Sequence, residues 1–494
     1  MIAPHISLLL QLSLPEIFVV IAALLALMID ILALRTSSLR VRFAFAAAIA
    51  SAGCVVSILQ LLHAPVQANL LNGMLLSNPL TQFVQIVLLV LTILTLLLSV
   101  ESTFTEHVGE YVLLILFATA GMMFLVASQD ILVIFLSLEL LSLSLYILTA
   151  FDKCNARSAE AALKYFLFGG MSAAILLFGF SLLYGLSNST RLAEIARASH
   201  GSSLNSLLAI AIVTTVVGFG FKVAAAPFHF WAPDVYDGAP APSAGFIASS
   251  SKVASFFIFF QVMTLGFSGA AGSAAWLHFL PGWVPVLAII ATLSMVLGNL
   301  AAIAQSRVRR MLAYSAIAHA GYMLLIFLPN TQPSLAALLY YVVTYALATL
   351  GAFGVVAVIE KHTGDNQLAN FDGLSQQAPV LSACMMIFLL SLAGIPPLAG
   401  FFGKFYLFAS VLQSPSGYPG LLWLVILAIA MSAVSLYYYL RVLKRIYVAP
   451  PSTENSAIHI PALQQAVLLL LAAAVVLFGC APQLLLHWIL RAIR

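Results

Sequence analysis

The chain has 494 residues, 63% hydrophobic and 7% charged, with 20 Lys and Arg against 16 Asp and Glu and a formal net charge of +4. A soluble domain carries about 25% charged residues, and a mean hydropathy of +1.10 leaves no charged skin for water, so a soluble globular enzyme and a disordered chain are excluded. The positive charge is too small and too dispersed for a nucleic-acid binder, which leaves a polytopic membrane protein.

A hydrocarbon core about 30 Å thick takes roughly 20 apolar residues per helix. The opening MIAPHISLLLQLSLPE has neither a basic n-region nor an A-x-A cleavage pattern, so the first helix is expected to be retained. In chain order, fourteen spans are predicted at 15–34, 43–63, 79–100, 111–128, 130–150, 161–186, 205–231, 243–267, 283–304, 311–328, 335–360, 380–412, 420–447 and 464–489. The fourth and fifth are separated only by Ser128, Gln129 and Asp130, and the seventh and twelfth are interrupted. Barrel strands alternate polar and apolar residues. These segments are apolar on every side, so an all-α bundle is predicted.

The charges bear on that count, because Lys and Arg gather in cytoplasmic loops. Arg35, Arg40, Arg42, Lys153, Arg157, Lys164, Arg307, Arg309, Arg310, Lys361, Arg441, Lys444 and Arg445 all fall at loops after odd-numbered spans, while only Arg191, Arg197, Arg491 and Arg494 fall on the other side. Both termini are therefore expected outside the cytoplasm. Asp30 is expected at the cytoplasmic interface, and Asp234 and Asp237 in a loop.

Lys222, Lys252 and Lys404 are left inside apolar spans. A Lys at mid-bilayer costs about 2.5–3.5 kcal/mol on insertion scales, so each requires a partner, a water-filled cavity or an exchangeable proton. Pro227 lacks an N–H and clashes with the preceding turn, which should break the helix near Lys222. Gly394, Pro396, Pro397 and Gly400 should do the same beside Lys404. Freed backbone groups at membrane depth are tolerated only against protein or water. Glu139, with Ser137, Ser142 and Ser144 on its helix, supplies an acid. It is expected near Lys222, where its approach would hold the lysine's proton and its withdrawal would release it. Lys252 follows Ser249, Ser250 and Ser251 and reads as a relay, and His229 and His319 could extend the chain, since imidazole titrates near neutrality.

A shift of 175 residues superposes AEAALKYFLFGGMSAAILLFG (159–179) on SLAALLYYVVTYALATLGAFG (334–354), and an interrupted helix follows both copies. Five spans separate the copies, so they should be inverted relative to one another. The division expected is 1–105 for spans 1–3, 106–270 for a first inverted repeat, 271–448 for a second, and 449–494 for the last span, with Lys222 and Lys404 as counterparts. Cys54, Cys154, Cys384 and Cys480 show no ligand spacing, and no metal site is expected.

APFHFWAPDVYDGAP with the following SKVASF, and SLAGIPPLAGFFGKFYLF, resemble the antiporter-like membrane subunits of respiratory complex I, the N subunits most closely. The likeness covers essentially the whole chain. It departs at PAPSAGF, where N subunits usually read PTPVTAF, and GFIASSSKVASFF lacks the His-containing segment of L and M subunits. The resemblance implies that Glu139 and Lys222 are the paired glutamate and lysine of helices 5 and 7. It makes Lys252 the connecting lysine of helix 8 and Lys404 the exit lysine of helix 12. It also implies no cofactor in this chain: NADH, FMN, iron–sulfur clusters and quinone would be handled by other subunits. Its partners would be neighbouring membrane subunits, lipid and protons, in a bacterial inner membrane with both termini periplasmic. The rival expectations are a subunit of a multisubunit sodium/proton antiporter or a membrane-bound hydrogenase, and, from another class, an assembly scaffold.

Overall fold

The computed structural model describes residues 13–63, 68–70, 73–199, 205–329, 331–413, 420–450, 458 and 460–493. Among these, eleven helices are long and apolar enough to cross a bilayer unaided. Of the other predicted crossings, the seventh and twelfth are built from shorter pieces and the tenth from a helix carrying Arg309, Arg310 and His319.

The N-terminal unit comprises α1 (Leu14–Leu32), α2 (Leu39–His63), the paired strands β1 (Ala68–Leu70) and β2 (Leu75–Ser77), and α3 (Pro79–Ser99). The start of α3 is set by Asn78 and Thr81, whose side chains each accept the other's backbone N–H, with Pro79 at the first position where no donor is needed. Asp30, at the end of α1, is buried among protein groups. It accepts two 2.7 Å bonds from Arg42 and one of 2.9 Å from the Gly109 amide.

Next come α4 (Val108–Ala127) and α5 (Ile131–Thr149), and the three-residue link between them is extended, with Ser128 bridging to Leu75 and Asp130 to Arg191. Asp130 caps α5 by accepting from the Leu132 amide and also takes a bond from the Thr190 hydroxyl, which satisfies helix-end donors that lipid could not. Helix α6 (Ala156–Ser187) is 32 residues, roughly 48 Å at 1.5 Å per residue, so it outruns the core and begins earlier than predicted. Gly169 on α6 admits Tyr146: a Cβ there would collide with the phenol oxygen, whereas its neighbour Gly170 faces open space. After α7 (Leu192–Ser199), the seventh crossing is α8 (Ser206–Lys222) and α9 (Trp231–Gly238). The eighth is α10 (Ala241–Ala248) and α11 (Ser250–Gln261), which runs into a π-helical turn at Val262–Gly266. Its apolar window is buried throughout, and exposure returns in the π-helical turn, at Leu265.

A second short hairpin, β3 (Ser273–Ala275) with β4 (His278–Leu280), precedes α12 (Trp283–Ile303) and α13 (Val308–Leu325). Neither hairpin was expected from the hydropathy pattern. Helix α14 (Gln332–Thr363) is buried over 94% of its apolar window. It is apolar all round because it is surrounded by protein: α10, α11 and later helices pack on it from several sides. After α15 (Leu374–Gln377), the twelfth crossing is α16 (Pro379–Ala393) and α17 (Ala399–Leu412), followed by α18 (Leu422–Tyr447) and α19 (Ala462–Cys480). The last predicted span is shorter than expected. It stops at Cys480, and Pro482 opens a separate helix, α20 (Pro482–Ile493), because proline is tolerated at a helix start but not inside one.

Candidate functional site

Lys222 is the last residue of α8, where the unpaired carbonyls of a helix end favour a cation. The chain then leaves the helix until Trp231. The freed groups find partners inside the protein: the Phe221 carbonyl accepts from the Trp231 indole at 2.9 Å, and the Ala226 amide donates to the Ser294 hydroxyl at 2.8 Å. Lys222 is buried, and its Nζ donates to the Ser142 hydroxyl at 2.9 Å.

Ser142 lies one helical turn after Glu139 on α5, so the lysine meets the serine rather than the carboxylate. Glu139 is only partly buried. Around it Leu136 is 67% and Leu143 48% exposed, so it stands at the rim of the bundle, on an apolar face open to lipid or a neighbouring chain. His229 is buried in the irregular turn. Its Nδ1 has no hydrogen-bond partner among the described residues, and its ring stacks on Phe230 at 4.7 Å. The structure does not bring it to another predicted site residue by a hydrogen bond.

Lys252, near the start of α11, reaches out of the first expected repeat into the second. Its Nζ donates at 2.8 Å to the carbonyl of Ala316 on α13 and lies 5.7 Å from the centre of the Tyr345 ring. Ala316 is one turn before His319. The His319 Nδ1 is 2.7 Å from the Tyr341 hydroxyl and Nε2 is 3.3 Å from that of Tyr439, which also bonds Ser315. Rings of Tyr345 and Tyr322 lie 5.0 and 5.7 Å from the imidazole.

Lys404 sits beyond the Tyr322 ring, 5.3 Å from its centre. Its Nζ donates to the carbonyl of Ala393, the last residue of α16, at 2.9 Å and to the Ser432 hydroxyl at 2.8 Å. Gly394 makes room for it: at φ +87 the backbone favours glycine, and a Cβ would stand 2.9 Å from Lys404 Cδ. Lys222 ends the first piece of its broken helix and Lys404 belongs to the second piece of its own. The two are therefore counterparts in the kind of device, not in position, and the 175-residue shift brings Lys404 onto His229.

Sequence reasoning missed the aromatic shell of Tyr322, Tyr341, Tyr345 and Tyr439, drawn from three helices, and the pair Asn299–Tyr438, which ties the shell to α12 at 3.0 Å. The only local signal was spacing: Tyr341 and Tyr345 are one turn apart, as are His319 and Tyr322. It also missed Glu16, a buried carboxylate of α1 that accepts from Gln85 at 2.8 Å.

On the basic face a polar cavity of about 340 Å³ opens between the two expected repeats. Arg307 pairs with Asp237 at 2.9 Å, and Arg310 and Lys164 both pair with Asp234 at 2.7 Å. Arg309 is buried and donates to Glu360 at 3.0 Å and to the backbone carbonyls of Tyr236 and Ala239. Asp234 and Asp237, expected in a loop, are in α9.

A family model described as NADH:quinone oxidoreductase/Mrp antiporter, TM, matches residues 128–437. NADH-quinone oxidoreductase subunit N 2 of Acidobacterium capsulatum is 56% identical, over 97% of this chain and 98% of that one. A chain of respiratory complex I from Thermus thermophilus superposes with a TM-score of 0.76 at 31% identity, covering 96% of this chain and 98% of the other. A chain of an archaeal membrane-bound sulfane sulfur reductase superposes with a TM-score of 0.84 at 22% identity, covering 98% and 97%, a likeness of fold.

Proposed function

The chain belongs to the NADH:quinone oxidoreductase/Mrp antiporter membrane family, and on that premise we propose that it is the proton-translocating subunit N of NADH:quinone oxidoreductase. NADH oxidation and quinone reduction, with their FMN and iron–sulfur centres, belong in this reading to other subunits. This chain, in a bacterial inner membrane with both termini on the periplasmic side, moves protons.

The observation that carries the reading is the holding of Lys222, Lys252 and Lys404 by hydroxyls, carbonyls and aromatic rings inside the protein, none of which a lipid-anchoring lysine would need. Protons enter from the basic-face cavity, pass Lys222 and Lys252, cross the His319–tyrosine cluster and leave from Lys404. Imidazole and phenol both donate and accept, which suits them to carry a proton between two ammonium groups. The division into inverted repeats at residues 106, 271 and 449 fits this path, with each half offering a channel to one side.

Glu139 at the rim is the control point. At an effective dielectric of about 20, unit charges interact by about 4 kcal/mol at about 4 Å and still by about 1 kcal/mol at four times that separation, so a rearrangement in a neighbouring subunit that moves or neutralises Glu139 is felt at Lys222. Carrying one charge across 100 mV takes about 2.3 kcal/mol, and two pKa units are worth about 2.7 kcal/mol, so one such event is of the right size.

The test is Lys222→Arg, which keeps the charge but cannot release its proton at working pH. In proteoliposomes bearing the complex, NADH oxidation coupled to proton uptake is expected to fall several-fold with assembly intact. Unchanged proton flux removes Lys222 from the path. Sodium transport in place of proton uptake, measured in the same vesicles, would shift the assignment to the cation/proton antiporter branch.

A further inference from the structure

An apolar groove of about 620 Å³ opens on the flank of the bundle, away from the lysine line. Along α3 its lining runs from Pro79 to Leu91, roughly 18 Å at 1.5 Å per residue, or a little over half of a ~30 Å hydrocarbon core. The groove is therefore one leaflet deep. Its inner wall is formed by Val343 and Leu347 of α14, the helix otherwise shut inside protein. Its mouth is polar. Arg491 and Gln82 line that end, and α20 packs across the start of α3.

Helix α20 is built for the membrane surface. Leu484, Trp488 and Arg491 follow at i, i+4 and i+7, which puts them on one exposed face, with Trp488 59% exposed. Tryptophan and arginine together mark the headgroup level, and a guanidinium matches a phosphate with two parallel hydrogen bonds. Arg491 makes no ion pair with another described residue.

We infer that this groove is a binding site for an anionic phospholipid, one acyl chain lying along α3 against Val343 and Leu347 and the headgroup phosphate meeting Arg491. The charge at the mouth selects this occupant: a quinone tail would fit the walls and leave the arginine unused. Val343 and Leu347 alternate along α14 with Tyr341 and Tyr345, which face His319, so the lipid chain would lie directly behind the aromatic shell.

The test uses the intact, detergent-purified complex, stripped of loosely held lipid and incubated with a photoactivatable phosphatidylglycerol, with the labelled peptides mapped by mass spectrometry. Label is expected on segments 79–91 and 343–347, displaced by unlabelled phosphatidylglycerol and reduced about fivefold by Arg491→Gln. Val87→Trp, which fills the groove without touching the charge, should also remove it. The site is overturned if the wild type takes no label there, or if neither substitution changes it. It is equally overturned if a quinone analogue competes and phosphatidylglycerol does not, or if a neighbouring subunit's helix is found to occupy the groove. The readout is lipid occupancy rather than proton flux, so this outcome is independent of whether Lys222 conducts.

Discussion

Lys222 and Lys404 sit beside the two broken helices, yet they are held in opposite ways. Lys222 has a single hydroxyl, that of Ser142, and a carboxylate one turn away at the rim. Lys404 has a helix-terminal carbonyl, the Ser432 hydroxyl and an aromatic face, with a glycine shaped around its stem. A group with one exchangeable partner near an outer face can be steered from outside; a group with two partners and a fixed dipole behaves as a constant. In the proposed path the first lysine is thus the adjustable end and the last the fixed end, with Lys252 joining them.

The largest effect should come from cutting that join. Lys252→Ala removes the side-chain donor to the Ala316 carbonyl and the ammonium beside Tyr345, so proton uptake per NADH oxidised is expected to fall more than tenfold, equivalent to at least about 1.4 kcal/mol. Retained uptake in proteoliposomes would mean that the two ends work separately. Next comes Gly394→Ala, where a left-handed backbone costs about 1–2 kcal/mol for a non-glycine residue and the new methyl crowds Lys404. A thermal unfolding midpoint lowered by a few degrees together with several-fold slower pumping is expected, and an unaltered rate would show that Lys404 is not held in place by this contact. The finest discrimination is between Ser142→Ala and Ser432→Ala. A hydrogen bond to a charged group is worth roughly 1.5–3 kcal/mol. Removing Lys222's hydroxyl should therefore slow pumping about tenfold, while Lys404, keeping the Ala393 carbonyl, should lose less than about twofold. Equal effects would erase the distinction between the ends.

Much of this was legible beforehand because membranes impose a simple grammar. Spans follow from apolar length, and the breaks at Pro227 and at Gly394–Pro397 follow from covalent chemistry. Lys222, Lys252 and Lys404 stood out because lipid makes a buried ammonium expensive. The rotation of each helix about its own axis was not legible. A helix as uniformly apolar as Ile131–Thr149 carries no periodicity to orient it, so nothing local said that Ser142 would turn inward and Glu139 to the rim. The tyrosine shell was hidden for another reason. Tyr322, Tyr341 and Tyr439 meet only in three dimensions, and each alone reads as ordinary packing. The end of the last span was misjudged because the apolar pattern continues past Pro482, although its face-by-face spacing changes there.

The ion pairs on the basic face also limit how the chain can move. Arg307, Arg309 and Arg310 of one half grip Asp237, Tyr236, Ala239 and Asp234 of the other, and the Asn366 amide adds a further bond to Asp237. Halves tied along a common edge would have to break these contacts to rock past each other as carrier halves do when they expose a cargo first to one side and then to the other. A proton handed along side chains, as proposed above, would cross without any of these contacts breaking.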